Sequence, residues 1–279
     1  MNPLVTPTWL SARLQNPNTI ILDATLPPVG VTPLIDTHAR YLNKHIPGAI
    51  FFDIEELSDH STPLPHMLPT PEDFSRSMSA LGVGDNTTIV VYEQESVFSA
   101  PRAWWTLRTF GARHVHILDG GLRTWIDANL QAESGPVHRA PSIFHATRNP
   151  QAVKTLAQLK EELANRQQIL DARSAARFNG TAPEPRPGLS SGHMPGATSL
   201  PFTELVEDGR LKPEEKLRQL FLAKQIDLQQ PITTTCGSGV TAAVLALGLE
   251  IAGAEDVSLY DGSWAEYAQQ PDSVIEKSR

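Results

Sequence analysis

The sequence predicts an α/β protein of two tandem domains, each with a mainly parallel sheet flanked by helices. Three observations lead to this fold class. Short aliphatic or β-branched runs alternate with helical patterns, which is typical of parallel sheets covered by helices. The second half of the chain repeats motifs of the first half in the same order. A length of 279 residues also suits two domains of about 100–200 residues each.

The repeat rests on four pairs of similar segments. HIPGA and HMPGA are separated by the same number of residues as ILDAT and ILDAR. IVVYE, which ends at Glu93, matches ITTTC, which ends at Cys236, and LDGGLRTW matches YDGSWAEY. Four pairs in one order indicate a duplicated domain. We therefore expect domains at 1–132 and 153–279, joined by a linker at 133–152 that is rich in Pro, Ser and Gly.

The elements of the second half follow one another as strand and helix. LAQLKEELANR has leucines at helical spacing, QILDA is typical of a short strand, and PEEKLRQLFLAK predicts a second helix. PITTT then predicts a strand, VTAAVLALGLEIAGA a helix and DVSLYDG a strand. Ligands of such sheets bind at the carboxyl ends of strands, and Cys236 stands at one of these ends.

Composition and charge exclude several classes of protein. The chain is 40% hydrophobic and 19% charged, as in ordinary globular proteins. Its net charge is −8, and no run of Lys and Arg indicates binding to nucleic acid or to an anionic membrane. The longest apolar run, Val240–Leu249, is about half the length of a membrane-spanning helix. The first residues lack the basic start and apolar stretch of a signal peptide, so we expect a cytoplasmic protein.

The single cysteine, Cys236, lies in the turn CGSGVTA between a strand and a helix. One cysteine excludes an intramolecular disulfide and a zinc site of CxxC spacing, and we expect neither a metal nor a cofactor. Gly237 and Gly239 permit a tight turn that directs several N–H groups inward. Together with the dipole of the following helix, these groups would stabilise a thiolate. The alternative is a structural cysteine packed at the end of the sheet.

Two comparisons narrow the chemistry of this thiol. The matching position in the first half is Glu93, whose segment lacks both the thiol and the glycines, so only the second half carries a nucleophile. Cysteine phosphatases and arsenate reductases need an arginine six residues after the cysteine, where this chain has Ala242. A loop that binds thiosulfate would be expected to carry basic side chains, and Gly237, Ser238 and Gly239 carry none.

Several segments together resemble the tandem rhodanese-type sulfurtransferases over nearly the whole chain. They are CGSGVTA, the paired HIPGA and HMPGA, FNGTAPEPRPG, and the DGG and DGS that follow two predicted strands. CGSGVTA and PEPR resemble the 3-mercaptopyruvate sulfurtransferase branch of that family. The resemblance implies two rhodanese-like domains, the first without the catalytic cysteine, and an active site in a cleft between them.

The resemblance also implies a sulfur relay with a small-molecule donor. The Cys236 thiolate would attack the sulfur of 3-mercaptopyruvate, pyruvate would leave, and the cysteine would become a persulfide. The persulfide would pass its outer sulfur to a small thiol, to thioredoxin or to cyanide, with no nucleic acid or membrane as partner. The loop residues Gly237, Gly239, Val240 and Thr241 are expected to line the substrate.

Two arginines are expected to hold the carboxylate of the donor, because a guanidinium binds a carboxylate through two hydrogen bonds. Arg177 and Arg186 match the substrate-binding arginines of the family. The alternative is a solvated pair of surface arginines. Arg173, which is closer to the strand end, could instead form an internal salt bridge.

Three further residues take catalytic roles by the resemblance. Ser238 would exchange a proton with the reacting sulfur, aided by a histidine and an aspartate from the first domain. PLPHMLP gives His66 for the histidine, and FFDIEEL gives Glu55 at the aspartate position. A glutamate, with its longer side chain, thus stands where the family has an aspartate.

Two other functions stay open at this point. The first is a thiosulfate:cyanide sulfurtransferase, which differs in its donor. The second is a non-catalytic rhodanese-like module that binds or carries sulfur. The cysteine, the glycine loop and both arginines argue against the second function.

Overall fold

The computed structural model describes residues 3–28, 30–31 and 33–278, which form two compact units. Unit 1 comprises Met1–Asp59, Leu68–Asn149 and Asp208–Arg210. Unit 2 comprises His60–Met67, Pro150–Glu207 and Leu211–Arg279. A short segment of the first half is therefore grouped with unit 2, and the domain boundaries given above stay a prediction.

The described residues of unit 1 form one five-stranded sheet and five helices. Its strands are β1 (Leu4–Val5), β2 (Thr19–Asp23), β3 (Ala49–Phe51), β4 (Thr88–Tyr92) and β5 (His114–Leu118). They lie in the order β1-β5-β4-β2-β3, and all neighbours run parallel. Its helices are α1 (Pro7–Ser11), α2 (Thr37–Asn43), α3 (Pro71–Ala80), α4 (Ala100–Thr109) and α5 (Gly121–Asp127).

Unit 2 repeats this plan. Its elements include the strands β6 (Val153–Lys154), β7 (Gln168–Asp171), β8 (Thr198–Ser199), β9 (Val206–Glu207), β11 (Ile232–Thr235) and β12 (Val257–Tyr260). The short strand β10 (Arg210–Leu211) begins at Arg210, which is grouped with unit 1, and ends in unit 2. The helices are α6 (Leu156–Ala164), α7 (Ala175–Phe178), α8 (Glu214–Ala223), α9 (Ala242–Ala252) and α10 (Ser263–Tyr267), with a 3₁₀ helix at Phe202–Leu205. The main sheet has the order β6-β12-β11-β7-β8 and is parallel throughout, and β9 and β10 form a short two-stranded sheet.

The two main sheets have the same strand order, which confirms the predicted fold class. Their registers also agree at the strand ends: Asp23 is opposite Tyr92, as Asp171 is opposite Thr235. The next residues, Glu93 and Cys236, are therefore equivalent, as the repeat in the sequence indicates.

Local sequence explains where several helices begin. The side chains of Thr6, Asp36 and Thr70 each accept the backbone N–H of the residue three positions further on. Proline occupies the first position of α1 and α3, where no N–H is needed. Thr155 and Gln158 form a reciprocal capping box at the start of α6.

Helix α9 is apolar on nearly all sides and is buried against β11, β12, α8 and the 3₁₀ helix. It begins at Ala242, two residues later than the helical sequence pattern starts, because residues 236–241 form a loop in which Gly239 has a φ of 82°. It ends where Gly253 adopts a left-handed conformation with a φ of 94°.

The segment 133–149, which falls in the predicted linker, belongs to unit 1 and is hydrogen-bonded to the rest of that unit. Glu133 forms a backbone bridge with His45, and the N–H groups of Ser142 and Thr147 donate to the carbonyls of Ser79 and Phe110. Among the residues that the structure describes, no helix is long and apolar enough to cross a bilayer.

Candidate active site

Cys236 directly follows β11, an inner strand of the unit 2 sheet. The residue is 2% exposed. In the neighbouring strand β7 the last residue, Asp171, is in register with Thr235, the last residue of β11. The thiol therefore lies at the carboxyl edge of a parallel sheet, where ligands of such folds bind.

Two hydrogen bonds from the start of α10 orient the cysteine loop, residues 236–241. The N–H of Trp264 donates to the carbonyl of Cys236 at 2.9 Å, and the N–H of Ala265 donates to that of Gly237 at 3.0 Å. Because the C=O and N–H of a trans peptide point in opposite directions, the N–H groups of Gly237 and Ser238 point away from α10. Within the described residues neither group has an acceptor. With the first turn of α9, they can stabilise an anion at the loop.

Ser263 supports the same loop from the start of α10. Its hydroxyl accepts the N–H of Cys236 at 3.3 Å and donates to the carbonyl of Tyr260 at 2.9 Å. The residue is fully buried and has a φ of 50°, a left-handed conformation that favours glycine. The equivalent residue of unit 1 is Gly121, with a φ of 61°.

The structure brings both predicted arginines to the cysteine loop. A methyl group placed on Gly237 would lie 2.9 Å from Nη2 of Arg177 and 3.7 Å from Nη1 of Arg186. The absence of a side chain at Gly237 therefore lets two guanidinium groups approach the loop beside Cys236.

A chain of alternating charges holds Arg177 in this place. Arg173 donates to both carboxylate oxygens of Asp171 and, at 2.8 Å, to Oε1 of Glu184. Arg177 donates to Oε2 of Glu184 through Nε at 3.1 Å and Nη2 at 2.5 Å. The side chains of Asp171, Arg173 and Glu184 are at most 1% exposed. Arg173 thus forms the internal salt bridge that the sequence left open.

The buried guanidinium of Arg173 stays charged. Burial acts to lower its pKa, but the charges and hydrogen bonds of Asp171 and Glu184 outweigh burial and raise the pKa above its ordinary value. Arg173 also donates to the carbonyl of Gly192 at 2.7 Å and stacks 4.0 Å above the ring of Trp264. It is a rigid anchor for the groups around it.

His66 lies in the part of the first half that is grouped with unit 2. Its Nδ1 is 2.9 Å from Oγ of Ser238, and both residues are buried. The backbone of His66 has a φ of 59°. The structure thus brings the predicted histidine to the predicted serine.

The remaining predicted site residues are placed as follows. Val240 is buried in the cysteine loop, and Thr241 is the last residue before α9. Glu55 belongs to unit 1, where its side chain is exposed and its N–H donates to Oδ1 of Asp53 at 3.0 Å. The catalytic and binding roles of all these residues stay predictions.

Sequence reasoning missed two residues of this region, Glu184 and Ser263. Glu184 lies in PEPR between the two predicted arginines, so its position in the motif was a signal that a carboxylate accompanies them. The signal for Ser263 was the repeat itself, which aligns this serine of YDGS with Gly121 of LDGG, a position where glycine is favoured.

The equivalent loop of unit 1 contains the carboxyl group of Glu93 in place of a thiol. The carboxylate of Glu93 accepts the N–H groups of Phe98, Ser99 and Ala100 at 2.8–3.2 Å, and the hydroxyl of Ser99 at 3.1 Å. These groups lie at the start of α4, so Glu93 supplies the cap that Ser99 does not. Burial raises the pKa of Glu93 to about 7, against the opposing effect of the hydrogen bonds.

The chain is similar to known proteins over nearly its whole length. The family profile described as Rhodanese-like domain matches residues 6–128 and 155–270. The chain is 47% identical to the 3-mercaptopyruvate sulfurtransferase of Escherichia coli K12 over 269 residues, which are 96% of this chain and 95% of that protein. It is 40% identical to the thiosulfate sulfurtransferase of Bos taurus over 95% of this chain and 91% of that protein.

A solved structure is similar as well. The crystal structure of SseA from Escherichia coli, described as having the rhodanese fold of 3-mercaptopyruvate sulfotransferases, matches with a TM-score of 0.88 and 44% identity. The match covers 95% of this chain and 100% of that structure.

Proposed function

The chain belongs to the family of rhodanese-like domain proteins, and we propose that it is a 3-mercaptopyruvate sulfurtransferase that carries sulfur as a persulfide on Cys236. The observation that carries this proposal is the approach of Arg177 and Arg186 to a cysteine loop without charged side chains. Two guanidinium groups suit a donor with a carboxylate, because each can form paired hydrogen bonds with it. The similarity to named 3-mercaptopyruvate sulfurtransferases supports the same donor.

In the first step the thiolate of Cys236 attacks the sulfur of 3-mercaptopyruvate. A sulfur–sulfur bond forms, the carbon–sulfur bond breaks, and its electron pair leaves with carbon as the enolate of pyruvate. The N–H groups of Gly237 and Ser238 stabilise negative charge on the reacting sulfur. Protonation of the enolate gives pyruvate, and the pair of Ser238 and His66 supplies or relays this proton. The resemblance assigns the carboxylate of this step to Glu55.

In the second step the thiolate of an acceptor attacks the outer sulfur of the persulfide. The new bond forms between acceptor and outer sulfur, and Cys236 leaves as a thiolate, ready for another donor. A small thiol or thioredoxin serves as acceptor, and cyanide gives thiocyanate. Cys236 is the only cysteine of the chain, so no neighbouring thiol of the same chain can convert the persulfide to a disulfide.

The donor test compares two reactions on the wild-type protein. We expect kcat/KM for 3-mercaptopyruvate to exceed that for thiosulfate, and mass spectrometry to detect one added sulfur atom on the peptide that contains Cys236. A higher kcat/KM for thiosulfate would favour a thiosulfate sulfurtransferase instead. No added sulfur with either donor would favour a non-catalytic binding module.

The thiosulfate alternative is supported by the similarity to the bovine thiosulfate sulfurtransferase. The cysteine loop argues for the keto acid, because Gly237, Ser238 and Gly239 provide no basic side chain for a compact dianion. The acidic net charge and the lack of a basic cluster in the sequence support a protein that binds neither nucleic acid nor membrane. The single cysteine supports a reducing, cytoplasmic setting.

A further inference from the structure

The carboxylate of Glu184 accepts hydrogen bonds from two arginines, Arg173 and Arg177. Oε1 accepts from Arg173, and Oε2 accepts from Arg177. Arg173 is itself fixed by Asp171, by the carbonyl of Gly192 and by the ring of Trp264. The position of the Glu184 carboxylate is therefore set by a buried, rigid group, and Glu184 transmits that position to Arg177.

The contact with Glu184 occupies one particular edge of the Arg177 guanidinium. Nε and Nη2 donate to Glu184, whereas the edge formed by Nη1 and Nη2 makes no other hydrogen bond to any described residue. Nη2 is also the atom that comes closest to the position of a methyl group on Gly237. A guanidinium can bind one carboxylate at each of two edges, so the second edge can take a carboxylate at the cysteine loop.

The charges favour the same arrangement. Asp171 and Glu184 together balance Arg173 and Arg177, so the four side chains form a neutral group despite their burial. Without the Glu184 carboxylate, Arg173 would keep Asp171, but Arg177 would lose its carboxylate partner and would be free to rotate about its long side chain. The side chain of Arg177 is 22% exposed, which leaves room for this rotation.

We propose that Glu184 is a positioning residue that fixes the plane of the Arg177 guanidinium and directs its second edge toward a carboxylate at Cys236. This inference rests on the proposed function, because the carboxylate is that of the sulfur donor. Glu184 itself need not touch the donor. Its effect is on the place and orientation of Arg177.

The test uses two alkylating agents that differ only in charge at the relevant end. Iodoacetate carries a carboxylate and iodoacetamide a neutral amide, and both transfer their carbon to the Cys236 thiolate with loss of iodide. In Glu184→Gln we expect the ratio of the iodoacetate rate to the iodoacetamide rate to fall by at least about tenfold, as for the loss of a hydrogen bond to a charged group. The KM for 3-mercaptopyruvate should rise by a similar factor.

Two further variants make the result decisive. Glu161→Gln removes the same charge from an exposed position of α6 and should leave the ratio unchanged. Glu184→Asp keeps the charge but is too short to reach both arginines, so its ratio should also fall, even if Glu184→Gln does not fold. An unchanged ratio in a folded Glu184 variant would overturn the inference. Because alkylation needs no donor, this result is independent of whether the wild-type protein uses 3-mercaptopyruvate.

Discussion

Nδ1 of His66 lies 2.9 Å from the hydroxyl oxygen of Ser238, although the two residues are 172 positions apart in the sequence. Both are buried in unit 2, and His66 holds its ring there with a left-handed backbone, φ 59°. Such conformations cost free energy in residues other than glycine and cluster at functional sites. The contact links the PLPHMLP segment to the cysteine loop, which is why we assign the pair a role in proton transfer.

Replacement of His66 by asparagine should slow the release of pyruvate. Asparagine tolerates the left-handed conformation, so the backbone is kept while the imidazole is lost. We expect kcat to fall by about 100-fold, the usual contribution of a general acid or base. The exposed His138 of unit 1 provides the control, because His138→Asn should leave kcat unchanged. Equal rates for the wild type and His66→Asn would remove His66 from the mechanism.

Replacement of Cys236 by serine should abolish sulfur transfer and leave the fold intact. The hydroxyl is close in size to the thiol but does not ionise or form a persulfide at neutral pH. Persulfide mass, thiocyanate formation and the far-ultraviolet circular dichroism spectrum together check this prediction. Sulfur transfer at a normal rate in a folded Cys236→Ser protein would show that the mechanism is wrong.

Replacement of Gly237 by alanine should weaken binding of the donor without loss of stability. The added methyl group would lie 2.9 Å from Nη2 of Arg177, the end of a flexible side chain that can shift. We expect KM for 3-mercaptopyruvate to rise about tenfold, since small misplacements of a binding group are costly. Steady-state kinetics and the thermal midpoint measure the two effects. If KM stays constant, the close approach of Arg177 to Gly237 has no part in binding.

Much of the fold follows from the sequence because its determinants are local. The residue pattern of PITTT predicts a strand, and that of LAQLKEELANR predicts an amphipathic helix. The repeat indicates that strands and helices follow in the same order in both halves. The strand–turn–helix pattern around Cys236 also places the thiol at the carboxyl end of β11. These features depend on neighbouring residues and on the topology of parallel sheets.

The contacts that position the site residues could not be predicted from the sequence in the same way. The bridge from Arg173 through Glu184 to Arg177 depends on how a proline-rich loop folds over α7, and no periodicity encodes that path. The hydrogen bond from the N–H of Cys236 to the hydroxyl of Ser263 likewise joins residues 27 positions apart in the sequence. Comparison of the halves marked Glu93 as the equivalent of Cys236, but only the structure shows its four hydrogen bonds at the start of α4.

The buried carboxylate of Glu93 should make the stability of unit 1 depend on pH. Its pKa in the folded protein is about 7, above the ordinary value of 4.5, because burial disfavours the charged form. The protonated carboxyl is therefore favoured by folding. Its contribution to the free energy of unfolding is full below about pH 4.5 and is lost as pH rises through about 7. The difference amounts to about 3 kcal/mol.

Glu93→Gln tests this dependence, because glutamine does not ionise. The free energy of unfolding of Glu93→Gln minus that of the wild type should rise by about 3 kcal/mol between pH 4.5 and pH 8. Urea unfolding followed by tryptophan fluorescence reports mainly on unit 1, which contains four of the five tryptophans. Glu72→Gln, at an exposed position of α3, should show no such rise. A difference that stays constant or falls with pH would mean that the hydrogen bonds at the start of α4 keep Glu93 ionised throughout this range.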